Sequence, residues 1–463
     1  MKTPPAHSPA APMNEPSLIR ALPLLLLLAL TSCAGGNSSS TPIQNPAAEI
    51  ANAGNFSTTV FLGDSLTAGY QSGSLLDIAE IHGWAPVLAS QAKFPIVQAL
   101  VAYPGAPGTL LLKSPGPPPV IVTAPGITTG RDNFATQVTD LAVPGAMLND
   151  IANTVPAVVP TTPEQIITQL VLGFPGLGYG QDWSQATFAV HANPTTIFLW
   201  AGNNDALVAD LTGSPASMTS TADFTTQYTA LIQLLTTRTN AHLVIANIPD
   251  VTLVPYLTPA ALVLAEYSAA THLPTATLSA LFGIVPGDLV TPEGLIEINA
   301  ILAGTQKTPL SDAGVLTAAE AVAVRAQVTA YNQVIAAQTT AANGTLVDIN
   351  ALFTQVATTG LTINGYTGTN AFLGGFFSLD GIHPTNTGYA VVANTFIDTM
   401  NASFKTTIPD IALGPVVAAD PLWPPNIVPN AAPGLRPAAH IALSAEAARN
   451  LNQTLLPDRL QHP

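Results

Sequence analysis

A serine near one end of the chain and an aspartate–histidine pair near the other have the residue types needed for ester hydrolysis. An apolar, β-prone run covers residues 58–62, and a turn-forming Gly63-Asp64 pair leads directly to Ser65 and then to residues that can open a helix. A strand that meets a tight turn lifts the next side chain out at the carboxyl edge of a parallel sheet, where ligands bind. A serine hydroxyl placed there becomes a nucleophile only if a base accepts its proton.

Asp380 and His383 supply the base and its partner. Their spacing of three residues is typical of two side chains on one face of a helical turn. Asp380 can then accept a hydrogen bond from one ring nitrogen of His383 and leave the other nitrogen free to face Ser65. The residues around Ser65 lack the second glycine of a Gly-x-Ser-x-Gly turn, which disfavours an α/β-hydrolase nucleophile turn.

Two further turns carry groups that could stabilise an oxyanion. Gly145 ends a short apolar run, and its backbone N–H can approach a ligand closely because it has no side chain. Taken alone, a tight strand-to-helix turn explains Gly145 as well. Asn204 follows the buried-type strand at 195–201 and could donate its side-chain amide to an oxyanion, although an Asx-type turn favours the same residues.

Strand and helix patterns alternate along most of the chain. Buried-type strands are predicted at 243–249 and 345–349, and amphipathic helices at 224–237 and 322–338. This alternation predicts a parallel sheet with helices on both faces. The alternation breaks at 255–314, where helical pieces predict an insertion that could act as a cap.

Two other segments do not fit the alternation. Residues 104–130 are crowded with Pro and Gly, which predicts an irregular loop at the rim of the site. Residues 406–463 predict an extended C-terminal tail with one weak helix at 441–455.

The composition excludes some classes of partner. The formal net charge is −15 and only 8% of the residues are charged, so the basic surface that nucleic acid requires is missing. The remaining histidines form no cluster with metal-ligand spacing, and we expect neither a metal nor a cofactor.

The N-terminus predicts export and a lipid anchor. The apolar run at 21–30 is too short to span a membrane, and with its flanks it is typical of a signal peptide over residues 1–32. Residues 30–33, Leu-Thr-Ser-Cys, resemble a bacterial lipobox, which implies lipidation of Cys33, the only cysteine. An ordinary signal peptide is the alternative. Residues 33–55 are predicted to be a flexible tether, and Ala34 is compatible with delivery to the outer membrane.

Four motifs together resemble the GDSL, or SGNH, family of serine esterases and lipases. The resemblance implies a flavodoxin-like three-layer α/β/α sandwich over residues 56–405, with Ser65 as nucleophile, His383 as base and Asp380 as its orienting acid. It also implies an oxyanion hole made by the N–H groups of Ser65 and Gly145 and the side chain of Asn204. The motifs are Gly63-Asp64-Ser65-Leu66, Gly145, Gly202-Asn203-Asn204-Asp205 and Asp380-Gly381-Ile382-His383.

The expected activity is hydrolysis of carboxylic esters, of lipids or other acyl esters, through an acyl-enzyme. Two alternatives stay open at this stage. One is an acetylesterase acting on polysaccharide, which an open polar cleft would favour. The other is a lipid-anchored binding protein that keeps a hydrolase scaffold without turnover, since a fold does not determine function.

Overall fold

The computed structural model describes residues 54–116, 119–132, 134–427 and 440–457. The predicted signal peptide, Cys33 and nearly all of the predicted tether lie outside the described residues. Among the described residues, no helix is both long enough and apolar enough to cross a membrane.

The secondary structure alternates as the sequence predicts. The strands are β1 (Thr59–Gly63), β2 (Leu110–Ser114), β3 (Val120–Thr123), β4 (Gly173–Phe174), β5 (Tyr179–Gly180), β6 (Thr196–Trp200), β7 (His242–Ala246), β8 (Thr258–Pro259), β9 (Leu289–Val290), β10 (Val315–Leu316), β11 (Thr345–Val347), β12 (Leu361–Ile363) and β13 (Tyr366–Gly368). The α-helices are α1 (Asp77–Glu80), α2 (Trp84–Ala92), α3 (Leu148–Asn153), α4 (Pro163–Leu172), α5 (Gln185–Ala192), α6 (Asn203–Thr212), α7 (Thr221–Arg238), α8 (Ala260–Thr271), α9 (Thr275–Phe282), α10 (Pro292–Leu302), α11 (Ala318–Ala341), α12 (Ile349–Thr358), α13 (Asn386–Phe404), α14 (Leu413–Ala419), α15 (Pro424–Ile427) and α16 (Ala445–Leu455).

A four-stranded parallel sheet in the order β1, β6, β7, β11 lies at the centre. Every residue of β1 and β6 is buried, as expected for strands covered by helices on both faces. A short parallel bridge between Phe61 and Asp140 extends the free edge of β1. This bridge brings the segment that leads to Gly145 beside the strand that leads to Ser65.

Helices cover both faces of this sheet. Phe198 on β6 lies on the same face as Trp200, and this face packs against Trp84 of α2 and Phe396 of α13. The rings of Trp84 and Phe396 stack with centroids 4.0 Å apart. Helices α5, α7 and α11 form the other layer. The predicted three-layer α/β/α sandwich is therefore the observed fold.

Three segments outside the sheet differ from their predictions. The segment at 104–130 contains the hairpin β2–β3, because apolar runs on both sides of its prolines pair across the turn. The hairpin packs on the backbone of Ser72 instead of lining the cavity beside Ser65. The insertion at 255–314 contains β8 and β9 in addition to its helices, and these two strands form a three-stranded antiparallel sheet with β10, which directly follows the insertion. The C-terminal tail carries α14, α15 and α16, so it is not simply extended.

Glu80 is a buried acid in this fold, and it makes the stability depend on pH. Its carboxylate accepts hydrogen bonds from the N–H groups of Leu100 and Val101, at 2.8 and 2.7 Å. Burial nevertheless raises the pKa of Glu80 from 4.5 to about 7. The folded chain thus keeps this proton to a higher pH than the unfolded chain does. The free energy of unfolding should then fall by up to about 3 kcal/mol as the pH rises through that interval.

We expect Glu80→Gln to flatten this decline, because glutamine does not ionise. Urea unfolding at a series of pH values from about 4 to 8 measures the slope. Asp182→Asn, which removes an exposed carboxylate outside this helix, is the control and should keep the wild-type slope. A wild-type slope in Glu80→Gln would show that Glu80 does not hold a proton in the folded state.

Candidate active site

Ser65 lies directly beyond the carboxyl end of β1. The side-chain amide of Gln185 binds the backbone of Gly63 twice, at 3.0 and 2.9 Å, and fixes the end of the strand. The chain then turns, with the N–H of Ala68 donating to the carbonyl of Asp64 and that of Tyr70 to the carbonyl of Ser65. The predicted helix does not start here, because these turns do not continue and the first helix begins only at Asp77.

Asp64 stabilises this turn through its side chain. One carboxylate oxygen accepts from the N–H of Leu66 at 3.1 Å, and the other accepts from the side-chain amide of Asn203 at 2.9 Å. Burial raises the pKa of Asp64 to about 6, and the hydrogen bond from Asn203 opposes that rise. Asp64 therefore ties the Ser65 turn to the start of α6.

Ser65, His383 and Asp380 form one hydrogen-bonded chain. The Ser65 Oγ is 2.8 Å from the His383 Nε2. The His383 Nδ1 is 2.9 Å from the Asp380 Oδ2. The ring of Tyr70 packs beside the imidazole, with ring centroids 4.7 Å apart. The structure thus brings together three side chains that are up to 318 residues apart in the sequence.

Asp380 is held as an acceptor by several donors. Its Oδ2 also accepts from the N–H of Gly73, and its Oδ1 accepts from the N–H groups of Ile382 and His383 at 2.8 and 2.9 Å. Ser378 adds its hydroxyl at 3.2 Å. Burial by itself would raise the pKa of Asp380, but the charge and hydrogen bonds of His383 outweigh it, so the pKa lies below its ordinary value. A carboxylate in this setting stays ionised and can stabilise an imidazolium.

The Asp380–His383 segment is a turn and not the helical turn that its spacing predicts. The ends of this turn are joined by a bridge between Phe377 and Pro384, and Gly381 has a φ of +72°, a value that ends helical geometry. The following helix, α13, begins only at Asn386. The two side chains still meet, because a tight turn also brings residues three apart to the same side.

The backbone donors predicted for the oxyanion hole are both available. Within the described part of the chain, neither the N–H of Ser65 nor that of Gly145 donates to an acceptor. Gly145 has a φ of +84°, which a residue with a side chain rarely adopts. Both N–H groups lie on loops at the carboxyl edge of the sheet.

Asn204 lines the same cavity as Ser65 and His383. Its side-chain amide donates to the carbonyl of Ala146 at 2.9 Å, which uses one of its two N–H bonds. The other has no acceptor among the described residues and is available to a ligand. The adjacent Asp205 accepts from the N–H of Leu148 at 2.7 Å. Asn204 and Asp205 therefore both fasten the Gly145 loop to α6.

The cavity beside Ser65 is small and mostly apolar. Its volume is about 20 Å³, and Ser65 and His383 are 2% and 0% exposed. None of its lining residues belongs to the insertion at 255–314 or to residues 440–457. The lining consists of Ser65, Leu66, Asn203, Asn204, Leu207, Pro249, Val251, Val254, Phe353, Ile382 and His383.

A family model described as GDSL-like Lipase/Acylhydrolase matches residues 59–396, which is well over half of the chain. The chain belongs to this family. Membership supports a hydrolase of the lipase/acylhydrolase type and fits the α/β/α sandwich described above. A search of curated proteins found no significant match.

Two solved structures show distant likenesses. One is LAE5, an alpha/beta hydrolase enzyme from the metagenome of Lake Arreo, Spain, at 12% identity and a TM-score of 0.32, covering 75% of this chain and 96% of that chain. The other is the lipase/acylhydrolase from Enterococcus faecalis, at 11% identity and a TM-score of 0.30, covering 76% of this chain and 100% of that chain. At these TM-scores the likenesses add nothing about function.

The sequence does not predict the roles of several residues around the site. Asn203 and Asp205 belong to a motif in which the sequence predicts a role only for Asn204. Both are buried, and they bind the Ser65 turn and the segment after Gly145, respectively. Ser378 adjoins Asp380, but its hydroxyl serves a carboxylate that already has other donors. Tyr70 and Gln185 have no signal in the sequence at all, since their roles depend on contacts across the fold.

Proposed function

We propose that this protein is a serine hydrolase that cleaves carboxylic esters through an acyl-enzyme intermediate. The observation that supports it most directly is the hydrogen-bonded chain from Ser65 through His383 to Asp380, next to two unused N–H donors. In this reading Ser65, His383 and Asp380 are the catalytic residues, and Ser65, Gly145 and Asn204 supply the oxyanion donors.

The mechanism follows from these positions. Ser65 Oγ attacks the ester carbonyl carbon while His383 Nε2 accepts the hydroxyl proton, and Asp380 stabilises the imidazolium. The oxyanion donors hold the negative charge on the carbonyl oxygen. The carbon–alkoxy bond then breaks, and the alcohol leaves with the proton from His383. Water attacks the acyl-enzyme in the same manner, and the carboxylic acid leaves as Ser65 regains its proton.

The lining of the cavity favours an acyl chain over a sugar. Leu207, Val251, Val254 and Phe353 place apolar surface close to Ser65. Apolar walls with a few placed polar groups are typical of sites for apolar ligands. We therefore place lipid and other acyl esters before polysaccharide acetyl groups as substrates.

Hydrolysis of p-nitrophenyl esters from acetyl to palmitoyl tests this proposal. We expect turnover with an optimum above the acetyl ester, because the lining is apolar. An optimum at the acetyl ester would favour the acetylesterase. Absence of turnover on every ester, together with no labelling of Ser65 by an organophosphonate, would favour the binding protein.

Asn204→Ala should lower kcat for the best ester by about 10²–10³-fold, with a much smaller change in KM, because an oxyanion donor acts mainly in the transition state. Steady-state kinetics measure this split. Asn153→Ala removes an exposed amide that, within the described part of the chain, bonds only to Asn149, and it serves as the control. Equal losses in kcat and in substrate binding would instead indicate that Asn204 only shapes the loop.

We also propose that the protein is exported and held in the bacterial cell envelope, in the outer membrane, by lipid on Cys33. The support is the lipobox-like sequence at 30–33 and the single cysteine. Multiple acyl chains on one cysteine anchor a protein firmly, whereas one chain binds only marginally. Cys33→Ser should abolish incorporation of a labelled fatty acid and release the protein from washed membranes. Retention of label in that variant would exclude this anchor.

A further inference from the structure

The described end of the C-terminal tail, residues 440–457, lies directly on the candidate active site. A Cβ atom placed on Gly145 would be only 2.2 Å from the carbonyl oxygen of Thr454. One placed on Gly381, between Asp380 and His383, would be 2.7 Å from the side chain of Ile441. The tail therefore touches both the oxyanion loop and the Asp380–His383 turn.

Thr454 also reaches the layer beneath the tail. Its side chain lies beside the hydroxyl of Tyr70, whose ring packs on His383. At its other end the tail is fastened by His440, whose Nδ1 is 2.7 Å from a carboxylate oxygen of Glu266 on α8. The segment is thus fastened at its His440 end, and it contacts the Gly381 turn and the Gly145 loop further along.

The site in this structure has no room for an ester. The cavity beside Ser65 has a volume of about 20 Å³, enough for about one water molecule. Pockets that bind small ligands have volumes of roughly 300–1,000 Å³. A substrate can reach Ser65 only if the tail or another covering segment moves.

The helix of this segment, α16, is strongly two-sided. Ala447, Ala448, Leu451 and Leu455 are buried against the body, while Arg449 on the opposite face is exposed. This spacing gives one apolar stripe along a helix. Movement of α16 into water would expose that stripe, which is unfavourable. When the site opens, the apolar stripe of α16 must therefore be covered by another apolar surface.

The surface next to α16 is also apolar. Helix α16 packs against α4, which carries the exposed Ile166. The segments on either side of α4 expose Val159 and Leu177, at 73% and 70%. Apolar side chains at such exposure on neighbouring segments are typical of an interaction surface.

We propose that residues 440–457 are a lid, and that its apolar underside binds the surface of a lipid aggregate when the site opens. Closed in water, the lid blocks the oxyanion loop. At a lipid surface the apolar stripe of α16 and the neighbouring apolar residues enter the interface together, as amphipathic helices do. The effect on turnover rests on the proposed ester hydrolysis, whereas the movement of the lid does not.

The experiment uses the full chain with Cys33→Ser and vesicles of ether-linked phosphatidylcholine, which contain no cleavable ester. Spin labels at Arg449→Cys on the lid and Gln233→Cys on α7, both exposed positions, report the distance between lid and body. We expect vesicles to shift this distance by about 10 Å, since a helix is about that wide. In parallel, hydrolysis of soluble p-nitrophenyl butyrate by the unlabelled protein should rise about tenfold, corresponding to an open fraction that grows from roughly one tenth to nearly one.

A lid variant provides a second measurement. Leu451→Ser with Leu455→Ser weakens the underside and should give high butyrate hydrolysis without vesicles and little further rise with them. Ala445→Ser, on the exposed face of α16, is the matched control and should behave as wild type.

The outcomes separate the lid from the proposed activity. A distance shift without ester hydrolysis in any condition would support the lid and overturn the hydrolase. Ester hydrolysis with no distance shift and no response to vesicles would support the hydrolase and overturn the lid. A distance shift in wild type with unchanged activity in the double variant would overturn the gating role.

Discussion

Ser65→Ala should reduce kcat/KM for p-nitrophenyl esters by about a millionfold, leaving only the residual rate provided by the oxyanion donors and binding. The reason is that the Ser65 Oγ is the only hydroxyl bonded to the Nε2 of His383 among the described residues. No other described nucleophile is placed to accept the acyl group. Active-site titration with an organophosphonate, followed by mass spectrometry, should find one labelled residue in wild type and none in the variant.

The control for this prediction is Ser57→Ala. Ser57 is an exposed serine at the start of the domain, and among the residues that the structure describes its hydroxyl bonds only to Asn55. It should hydrolyse esters as wild type does. Circular dichroism should show the same fold in all three proteins, since alanine at Ser65 leaves the turn's backbone hydrogen bonds in place. Undiminished hydrolysis by Ser65→Ala would overturn the proposed mechanism.

Asp380→Asn should lower kcat by about 10⁴-fold. The His383 Nδ1 now donates to a carboxylate, and this leaves the Nε2 unprotonated to accept the proton of Ser65. Both carboxylate oxygens also accept backbone N–H bonds. An asparagine has one NH₂ group in place of one of these oxygens, so this group must face an N–H donor. If it faces His383, it favours the wrong tautomer of the imidazole; if it faces the backbone donors, the repulsion displaces the ring.

Asp348→Asn is the matched control. Asp348 is an exposed aspartate that caps α12, and asparagine can keep this cap, so the substitution should leave kcat unchanged. Pre-steady-state kinetics with a p-nitrophenyl ester would show where Asp380→Asn acts, and we expect the acylation burst itself to slow. A variant with wild-type acylation would mean that Asp380 is a structural residue only.

The sequence by itself predicts the chemistry, because that chemistry depends on residue types next to strand ends. Ser65, Asn204 and the Asp380–His383 pair each sit in a short motif where a loop meets a strand or helix. The alternation of apolar runs and amphipathic segments likewise predicts the three-layer sandwich, since buried parallel strands and their covering helices have different periods. Local patterns are sufficient for these features.

The sequence misplaces features whose form depends on partners elsewhere. The prolines at 104–130 suggest an irregular loop. The apolar runs on either side of them nevertheless pair with each other as β2 and β3. The spacing of Asp380 and His383 suggests a helical turn, but Gly381 with its positive φ and the bridge from Phe377 to Pro384 make a different turn. Short-range rules cannot choose between conformations that satisfy the same spacing.

The tertiary structure alone decides what surrounds the site. The contacts of Gln185 with Gly63, of Asn203 with Asp64, and of Thr454 with the Gly145 loop join residues more than a hundred positions apart. A weak helix pattern at 441–455 predicts that α16 forms, but not where it packs. Its place beside the Gly145 loop follows from the complementary fit of apolar surfaces across the fold. Such a fit is a property of the packed chain and not of any one segment.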